Sequence, residues 1–404
     1  MKLVEKHIIK KNHEFYKECD SLCFKSKNLY NSAIYFFRQS FIHNNISKGY
    51  KDMYYELRYK KDYSALPDKI SKQTLKLASQ NISSYFAAIK EYKKNPSKFL
   101  GRPRLPKYKD KLKGRQVTAY EAGALSKTIY KKEGLIGLSQ TNIKIKSKIP
   151  LEKIKQVRVV PGIYNYSIEI VYDILLHEKK ECNGRLASVD MGVNNLMVVT
   201  HNDKMLTPII FNGKPLKSIN QYYNKRKAKL QSLLPEKQYT SNKIKATTFK
   251  RNKKINDYLH KASSLLVNHL VSNNINTLVI GKNDNWKQGT NMGKANNQKF
   301  INIPFATLIR QITYKCQMKG ITVLLQEESY TSKCSFLDGE TPCKHETYKG
   351  KRIKRGLFKT SFGKKINADV NGSYNIMVKA VPNAFYGEGI EGVAVRPSRY
   401  NIAC

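Results

Sequence analysis

The chain has 404 residues, 40% of them hydrophobic, enough to build packed cores in two or three domains and to exclude wholesale disorder. Its 74 Lys and Arg against 30 Asp and Glu leave a formal net charge of +44, too large for an ordinary solvated surface. Such an excess repels itself until a polyanion neutralises it, so nucleic acid is the expected partner; no run of about 18 apolar residues exists to span a membrane.

The first residues, Met1 to Lys10, read as a strand, and their charge leaves no apolar core for a secretory signal. A helix rich in Tyr and Phe is expected over about Glu14 to Phe41, and a second over Ser71 to Tyr92. Between Lys90 and Arg115 there are eleven Lys or Arg against two acids. Pro103 and Pro106 bar a regular helix there. Arg102, Arg104, Lys107 and Lys109, interleaved with Phe99 and Tyr108, predict an extended segment that binds nucleic acid through charge and stacking. Val157 to Val160, a Pro161-Gly162 turn and Tyr164 to Tyr172 predict a hairpin. Pairing of the first strand with it suggests a small β-barrel carrying the helices as an insertion.

From Arg185 onward three strands follow one another: Leu186 to Asp190, Leu196 to Thr200 and Leu206 to Phe211. Helices come next at Gln221 to Leu234 and Thr247 to Asn273. In the second, Ile255, Leu259, Ala262, Leu266 and Leu270 share one face. A strand at Thr277 to Ile280, a helix from Pro304 to Met318, a strand at Ile321 to Gln326 and a helix starting near Asp369 complete the order. Three strands followed by helix, strand, helix, strand, helix is the order of an RNase H-like α/β domain, so the whole chain reads as α+β.

Two aspartates carry the chemistry. Asp190 ends an apolar strand ahead of Met191-Gly192, and Asp369 opens a helix, where a carboxylate suits the N-terminal amides. Brought together, they would bind a hard divalent cation through oxygen, and a pair of such ions can clamp both oxygens of a phosphodiester. The seven cysteines are odd in number and irregular in spacing, which predicts reduced thiols in a cytosolic protein. Trp286 is expected to anchor the loop after the fourth strand, with stacking on a base as the alternative.

Several segments together resemble the TnpB family, transposon-encoded RNA-guided nucleases related to type V CRISPR effectors. They are Arg102-Pro103-Arg104-Leu105-Pro106-Lys107-Tyr108-Lys109, Ser188-Val189-Asp190-Met191-Gly192-Val193-Asn194-Asn195, Asp257 to Ser263, Glu328-Ser329-Tyr330-Thr331-Ser332-Lys333 and Asn367-Ala368-Asp369-Val370-Asn371-Gly372. The resemblance implies a first barrel strand over 1–12, a helical recognition insertion and basic linker over 13–115, and the rest of a wedge-like barrel over 116–180. It further implies a RuvC nuclease domain over 181–333 and 366–380, interrupted by a degenerate zinc-ribbon-like insertion over 334–365, with a flexible tail over 381–404. It implies a guide RNA from a transposon end, double-stranded target DNA cut beside a short flanking motif, two Mg²⁺ ions, and a bacterial, nucleoid-associated setting.

The chain departs from that pattern twice. Gly281 stands where relatives carry a metal-binding Glu at the end of the fourth strand. Neighbouring side chains on a strand face opposite ways, so only one of Glu327 and Glu328 should point at the metal; Glu328, three residues before Thr331-Ser332, is the expected replacement and Glu327 the second choice. The expected catalytic set is therefore Asp190, Glu328 and Asp369, with Glu327 in reserve. Cys334, Cys343 and His345 are too few and too irregular for a closed zinc site, so zinc is not expected. Lys351, Arg352 and Arg355 read instead as a basic loop beside nucleic acid. Two rivals remain: a nuclease-inactive RNA-guided DNA binder, and a guide-independent transposase or resolvase on the same fold.

Overall fold

The computed structural model describes residues 1–283, 293–385 and 390–402. Trp286 lies outside them. The chain divides into two compact units, Met1–Leu175 and Leu176–Cys404. Among the described residues no helix is long and apolar enough to cross a membrane.

The first unit begins with β1 (Lys2–Ile9), followed by α1 (Tyr16–Asn44), α2 (Tyr50–Leu57), α3 (Lys61–Ser64) and α4 (Asp68–Lys94). Cys19, Leu22, Cys23, Tyr30, Ala33, Ile34 and Phe37 recur at helical spacing on α1 and are all buried, which is why this stretch winds as one long helix. Phe86 of α4 meets Phe37 and Phe41 edge to face and ties the two helices together. Then come β2 (Thr118–Glu121), β3 (Leu125–Ser126), α5 (Lys127–Glu133), β4 (Ile136–Leu138), β5 (Lys144–Ile145), β6 (Ile154–Pro161) and β7 (Tyr166–Asp173).

The predicted hairpin is β6–β7, and β1 pairs with β7 along its whole length, from Lys2 opposite Asp173 to Ile9 opposite Tyr166. The helices are thus an insertion between the first strand and the rest of its sheet. The expected closed barrel is not formed. The main sheet is open, in the order β1-β7-β6-β2, and β3, β4 and β5 form a separate small sheet. β1 and β2 stand at opposite edges, and α1 and α4 pack on the sheet.

The basic linker is extended, as its prolines require. Asn31 of α1 clamps it by accepting from Lys109 N–H at 2.9 Å and donating to the Lys109 carbonyl at 2.9 Å. Arg38 donates to the Pro106 carbonyl and lies over the Tyr108 ring. Arg102, Arg104 and Lys107 remain exposed.

The second unit contains β8 (Leu186–Met191), β9 (Asn195–His201), β10 (Ile209–Asn212), α6 (Lys214–Gln231), α7 (Asn242–Ser272), β11 (Thr277–Gly281), α8 (Lys294–Ile301), α9 (Phe305–Gln317) and β12 (Thr322–Gln326). A small sheet of β13 (Lys351–Lys354), β14 (Leu357–Lys359) and β15 (Lys365–Asn367) leads into α10 (Ala368–Ala380), and α11 (Glu391–Ala394) and β16 (Ser398–Tyr400) follow. The main sheet runs β12-β11-β8-β9-β10-β16. β8, β9 and β10 are antiparallel neighbours, while β11 and β12 join beside β8 in parallel.

Alternation along β8 sends Ala187, Val189 and Met191 into a core shared with Ile255, Leu259, Ala262 and Leu266 of α7 and Leu308 and Ile312 of α9. Ser188 and Asp190 face the other way, toward α10. The sequence-based expectation of a tail from 381 is corrected: Ser398, Arg399 and Tyr400 pair in parallel with Ile209, Ile210 and Phe211 and complete the sheet.

One buried pair gives this unit a pH dependence. His201, at the end of β9, is buried, and its Nε2 is 3.0 Å from Nε2 of His269 on α7. Burial, with His269 beside it, pushes the His201 imidazole down to about 3. The unfolded chain therefore takes up a proton near pH 6.5 that the folded unit refuses, and stability falls as pH drops below that value. Between pH 6.5 and 5 the His201 contribution is roughly 2 kcal/mol. Urea unfolding of the native chain should lose that much relative to His201→Leu over the same interval; parallel curves would place the acid sensitivity elsewhere.

Candidate active site

Asp190, Glu328 and Asp369 lie toward one end of the second unit's sheet, near enough for the charges of Glu328 and Asp369 to act on Asp190. Asp190 is the last but one residue of β8, opposite Val198 of β9, and sits against α10. Gly372 makes that approach possible, since a Cβ there would lie 2.9 Å from Asp190 Oδ2. Asp369 is in the first turn of α10, which Asn367 caps by accepting from the Asp369 and Val370 amides at 2.9 and 3.3 Å. Its Oδ2 accepts from Asn195 Nδ2 at 2.7 Å and its Oδ1 from Arg352 Nη2 at 3.3 Å.

Glu328 lies just beyond β12. Its backbone N–H donates to Asn283 Oδ1 at 3.0 Å, and its Oε2 accepts from Asn283 Nδ2 at 3.2 Å. Thr331 closes the turn by donating its hydroxyl to the Glu328 carbonyl, and Tyr330 takes a left-handed backbone (φ +66°) to make it. The carboxylate folds back over the end of β11. A Cβ built on Gly281 would collide with Glu328 Oε1 and come within 2.9 Å of its Cδ. The missing side chain of β11 and the carboxylate from β12 thus claim the same space, and only a glycine leaves it open.

Asp190 feels the other two carboxylates. Desolvation, then the charges of Glu328 and Asp369, raise the Asp190 carboxyl well above the usual carboxylate range, with Arg352 opposing. Desolvation, then Glu327, pushes Glu328 up to about 7. Glu328 Oε1 is buried and, among the described residues, has no hydrogen-bond partner. Among the described residues no group of three or more His, Cys, Asp or Glu is arranged so that it could hold a metal ion.

Glu327 does not join this cluster. It is exposed and pairs with Lys379 Nζ at 2.7 Å, while Ser329 donates to it from both backbone and side chain. Asn195 and Asn283, which orient two of the three carboxylates, were not assigned a role from sequence; the only signal was the place of Asn195 within the Ser188–Asn195 segment. Arg352 and Arg355 lie beside Asp369 in a pocket of ≈ 660 Å³ that also takes Lys214, Lys217 and Arg399, three cations that sequence reasoning did not single out. Lys351 is exposed on β13.

The insertion before α10 is held by side chains rather than by a ring of thiolates. Buried Glu340 accepts from the Ser335 and Lys349 amides at 2.7 and 3.0 Å, and Asp338 accepts from the Ser361 amide and hydroxyl at 2.9 and 2.8 Å. Cys334 is buried with its thiol directed at the Cys343 carbonyl, and Cys343 Sγ is 3.4 Å from His345 Nε2. These three donors do not supply the four ligands of a structural zinc site. Phe336 stacks on Tyr374 at 4.4 Å, so the insertion is docked on the helix that carries Asp369.

Comparison with known proteins places these features. The OrfB_IS605 family model, a probable transposase, matches residues 165–287, and a Cas12f1-like TNB domain model matches residues 305–376. The CRISPR-associated endodeoxyribonuclease Cas12f2 of a Micrarchaeota archaeon is 27% identical over 238 residues, covering 55% of this chain and 41% of that protein. A TnpB-like protein of Acidianus two-tailed virus is 27% identical over 211 residues, 50% of this chain and 43% of the other. The chain thus spans about two fifths of the length of these relatives. The solved mini-RNA-guided endonuclease Cas-phi3 superposes with a TM-score of 0.51 at 10% identity, over 96% of this chain and 93% of that one, a likeness of fold.

Proposed function

From the premise that this chain carries the sequence signatures of the TnpB-like and Cas12f-like proteins, we propose that it is an RNA-guided DNA endonuclease with a RuvC-type, RNase H-like nuclease unit. The observation that carries the reading is the Glu328 carboxylate lying over Gly281 beside Asp190 and Asp369. Glu328 restores the acidic residue absent from β11, and Gly281 is the vacancy it needs. The guide is proposed to be a transposon-end RNA and the substrate double-stranded DNA beside a short flanking motif. Sequence would then be read by base pairing, with the protein holding the backbone.

The donor set suits Mg²⁺, a hard cation that takes oxygen ligands. A buried carboxylate oxygen without a donor, and an aspartate raised by burial and then by the charges of Glu328 and Asp369, both call for a positive charge. Asp190, Glu328 and Asp369 would hold it, and when bound it supplies an activated water and charge for the leaving 3′ oxygen. Asn195 fixes the Asp369 carboxylate and Asn283 that of Glu328. Arg102, Arg104 and Lys107, exposed on a linker clamped by α1, and Lys351, Arg352 and Arg355 are proposed to bind phosphate backbones.

The test is to co-express the chain with candidate transposon-end RNA and measure Mg²⁺-dependent cleavage of a plasmid library, with a scrambled guide in parallel. Guide-dependent double-strand breaks that vanish in Asp190→Asn are the expected result. Target occupancy without breaks would replace the nuclease with an RNA-guided binder, and cleavage indifferent to the guide would favour a transposase or resolvase.

A further inference from the structure

The pocket beside Asp369 is strongly one-sided in charge. Lys214, Lys217, Arg352, Arg355 and Arg399 line it, and Asp369 is its single acid. Lys217 donates to Asn194 at 2.7 Å, and Arg352 reaches Asp369. Among the described residues no carboxylate pairs with Lys214, Arg355 or Arg399. Cations gathered this closely repel one another until an anion of matching geometry enters.

The Arg352–Asp369 pair is built to come apart. Its N–O distance of 3.3 Å is long for a charge-assisted hydrogen bond, and the two side chains are 47% and 29% exposed. Solvent weakens such a pair. By contrast Asn195 holds the other oxygen of Asp369 at 2.7 Å. The guanidinium therefore occupies a carboxylate oxygen loosely, at the mouth of a pocket that offers it other partners.

We infer that this pocket takes a backbone phosphate of the nucleic-acid strand, and that Arg352 exchanges between Asp369 in the empty site and that phosphate in the filled one. The inference rests on the reading of Asp369 as a ligand for a divalent cation. A phosphodiester offers two charged oxygens to a planar fork of donors, which an aspartate already bonded to Asn195 does not. When Arg352 turns to the phosphate, Asp369 Oδ1 is released to the cation. Strand and cation then bind cooperatively, each raising the affinity for the other by the same factor. A cation site armed only in the presence of a strand would keep the free protein from taking up metal tightly.

The test measures Mn²⁺ binding by electron paramagnetic resonance on the full chain, with and without a phosphorothioate oligothymidylate that resists cutting. The native chain should bind Mn²⁺ about fivefold tighter with the oligonucleotide. Arg352→Gln should show the tighter affinity without it and gain little on adding it. Arg355→Gln removes a charge from the same pocket without touching Asp369 and should leave the strand-free affinity within about twofold of native. Equal affinities for the native chain and Arg352→Gln, or an equal rise in both variants, would overturn the exchange. Glu328→Gln separates the two ideas. If no saturable Mn²⁺ site depends on Glu328, the cation reading falls and the exchange with it. If such a site exists but ignores the strand, only the exchange falls.

Discussion

Gly281→Ala should abolish cleavage although it removes no ligand. The added Cβ crowds Glu328 Oε1 and presses on Ile376 Cδ1 at 2.6 Å, so the carboxylate must shift from its place. Loss on the order of 10²- to 10⁴-fold in rate is expected, as for Glu328→Gln, because several kcal/mol of cation-held charge stabilisation disappears in either case. The informative variant is the double exchange. Gly281→Glu in a Glu328→Ala background returns a carboxylate to the same space from the neighbouring strand, and should recover at least tenfold, by order of magnitude, over Glu328→Ala alone. Failure of the exchange together with full activity of Gly281→Ala would show that Glu328 is not the third acid.

Replacing Glu328 has an opposite effect on stability. In the folded chain burial raises Glu328 to about 7, while in the unfolded chain it titrates near the ordinary Glu value of 4.5. The native state thus holds more protons between those values, and stability falls as pH rises through that window. At pH 8 without divalent ions, Glu328→Gln should be more stable by up to roughly 3 kcal/mol. Adding Mg²⁺ to the native chain should narrow the gap, since ligand binding to the folded state is stabilising. A thermal melt in chelator and then in Mg²⁺ reads both.

Ser373→Leu should disrupt the second unit more than any single change at its surface. Ser373 sits where α10 crosses β8 and β9 and is fully buried. Its hydroxyl is 3.2 Å from the carbonyls of Ser188 and Val198 and 3.0 Å from Thr200 Oγ1. Ser188 in turn donates to the Ser373 carbonyl at 2.6 Å. This knot of three hydroxyls lets the helix lie close to the strands, and it adjoins Gly372, which touches Asp190. Ser373→Ala removes the hydroxyl's bonds to these buried groups, at a cost of about 1 kcal/mol. Ser373→Leu adds overpacking on top, for about 3 kcal/mol or more in urea unfolding. It should also displace Asp369 from Asp190, so Mn²⁺ binding should weaken even where the chain still folds. Unchanged binding in a folded Ser373→Leu chain would show that α10 is not pinned here.

The fold was legible where periodicity is strong and local. The apolar face of α7, the β6–β7 hairpin and the apolar strand β8 ending beside Asp190 all lie where the residue pattern places them. The short helices α2 and α3 offer too few turns for a period to register. Barrel closure depends on whether β1 and β2 meet, a long-range matter that no local pattern encodes. β16 is three exposed residues without alternation, and only its pairing with β10 makes it a strand.

At the site, alternation allowed only one of Glu327 and Glu328 to face the metal and the nearby Thr331-Ser332 pair favoured Glu328, yet both residues lie beyond β12. The turn through Tyr330 and the bond from Glu327 to Lys379 are what separate them. Asn195, the first residue of β9, and Asn283, just past β11, escaped notice because an asparagine at a strand end has the look of an ordinary turn residue.

The short strand β16 also bears on how the protein can be trimmed or fused. It covers β10, whose backbone would otherwise stand at the end of the sheet with Ile209, Ile210 and Phe211 along it. A version cut before Ser398 to save length would uncover that apolar ribbon and invite pairing between molecules. Cargo attached directly after Tyr400 would pull on the same three-residue seam. A compact derivative is better sought elsewhere in the chain, with Ser398 to Tyr400 kept as a cover strip.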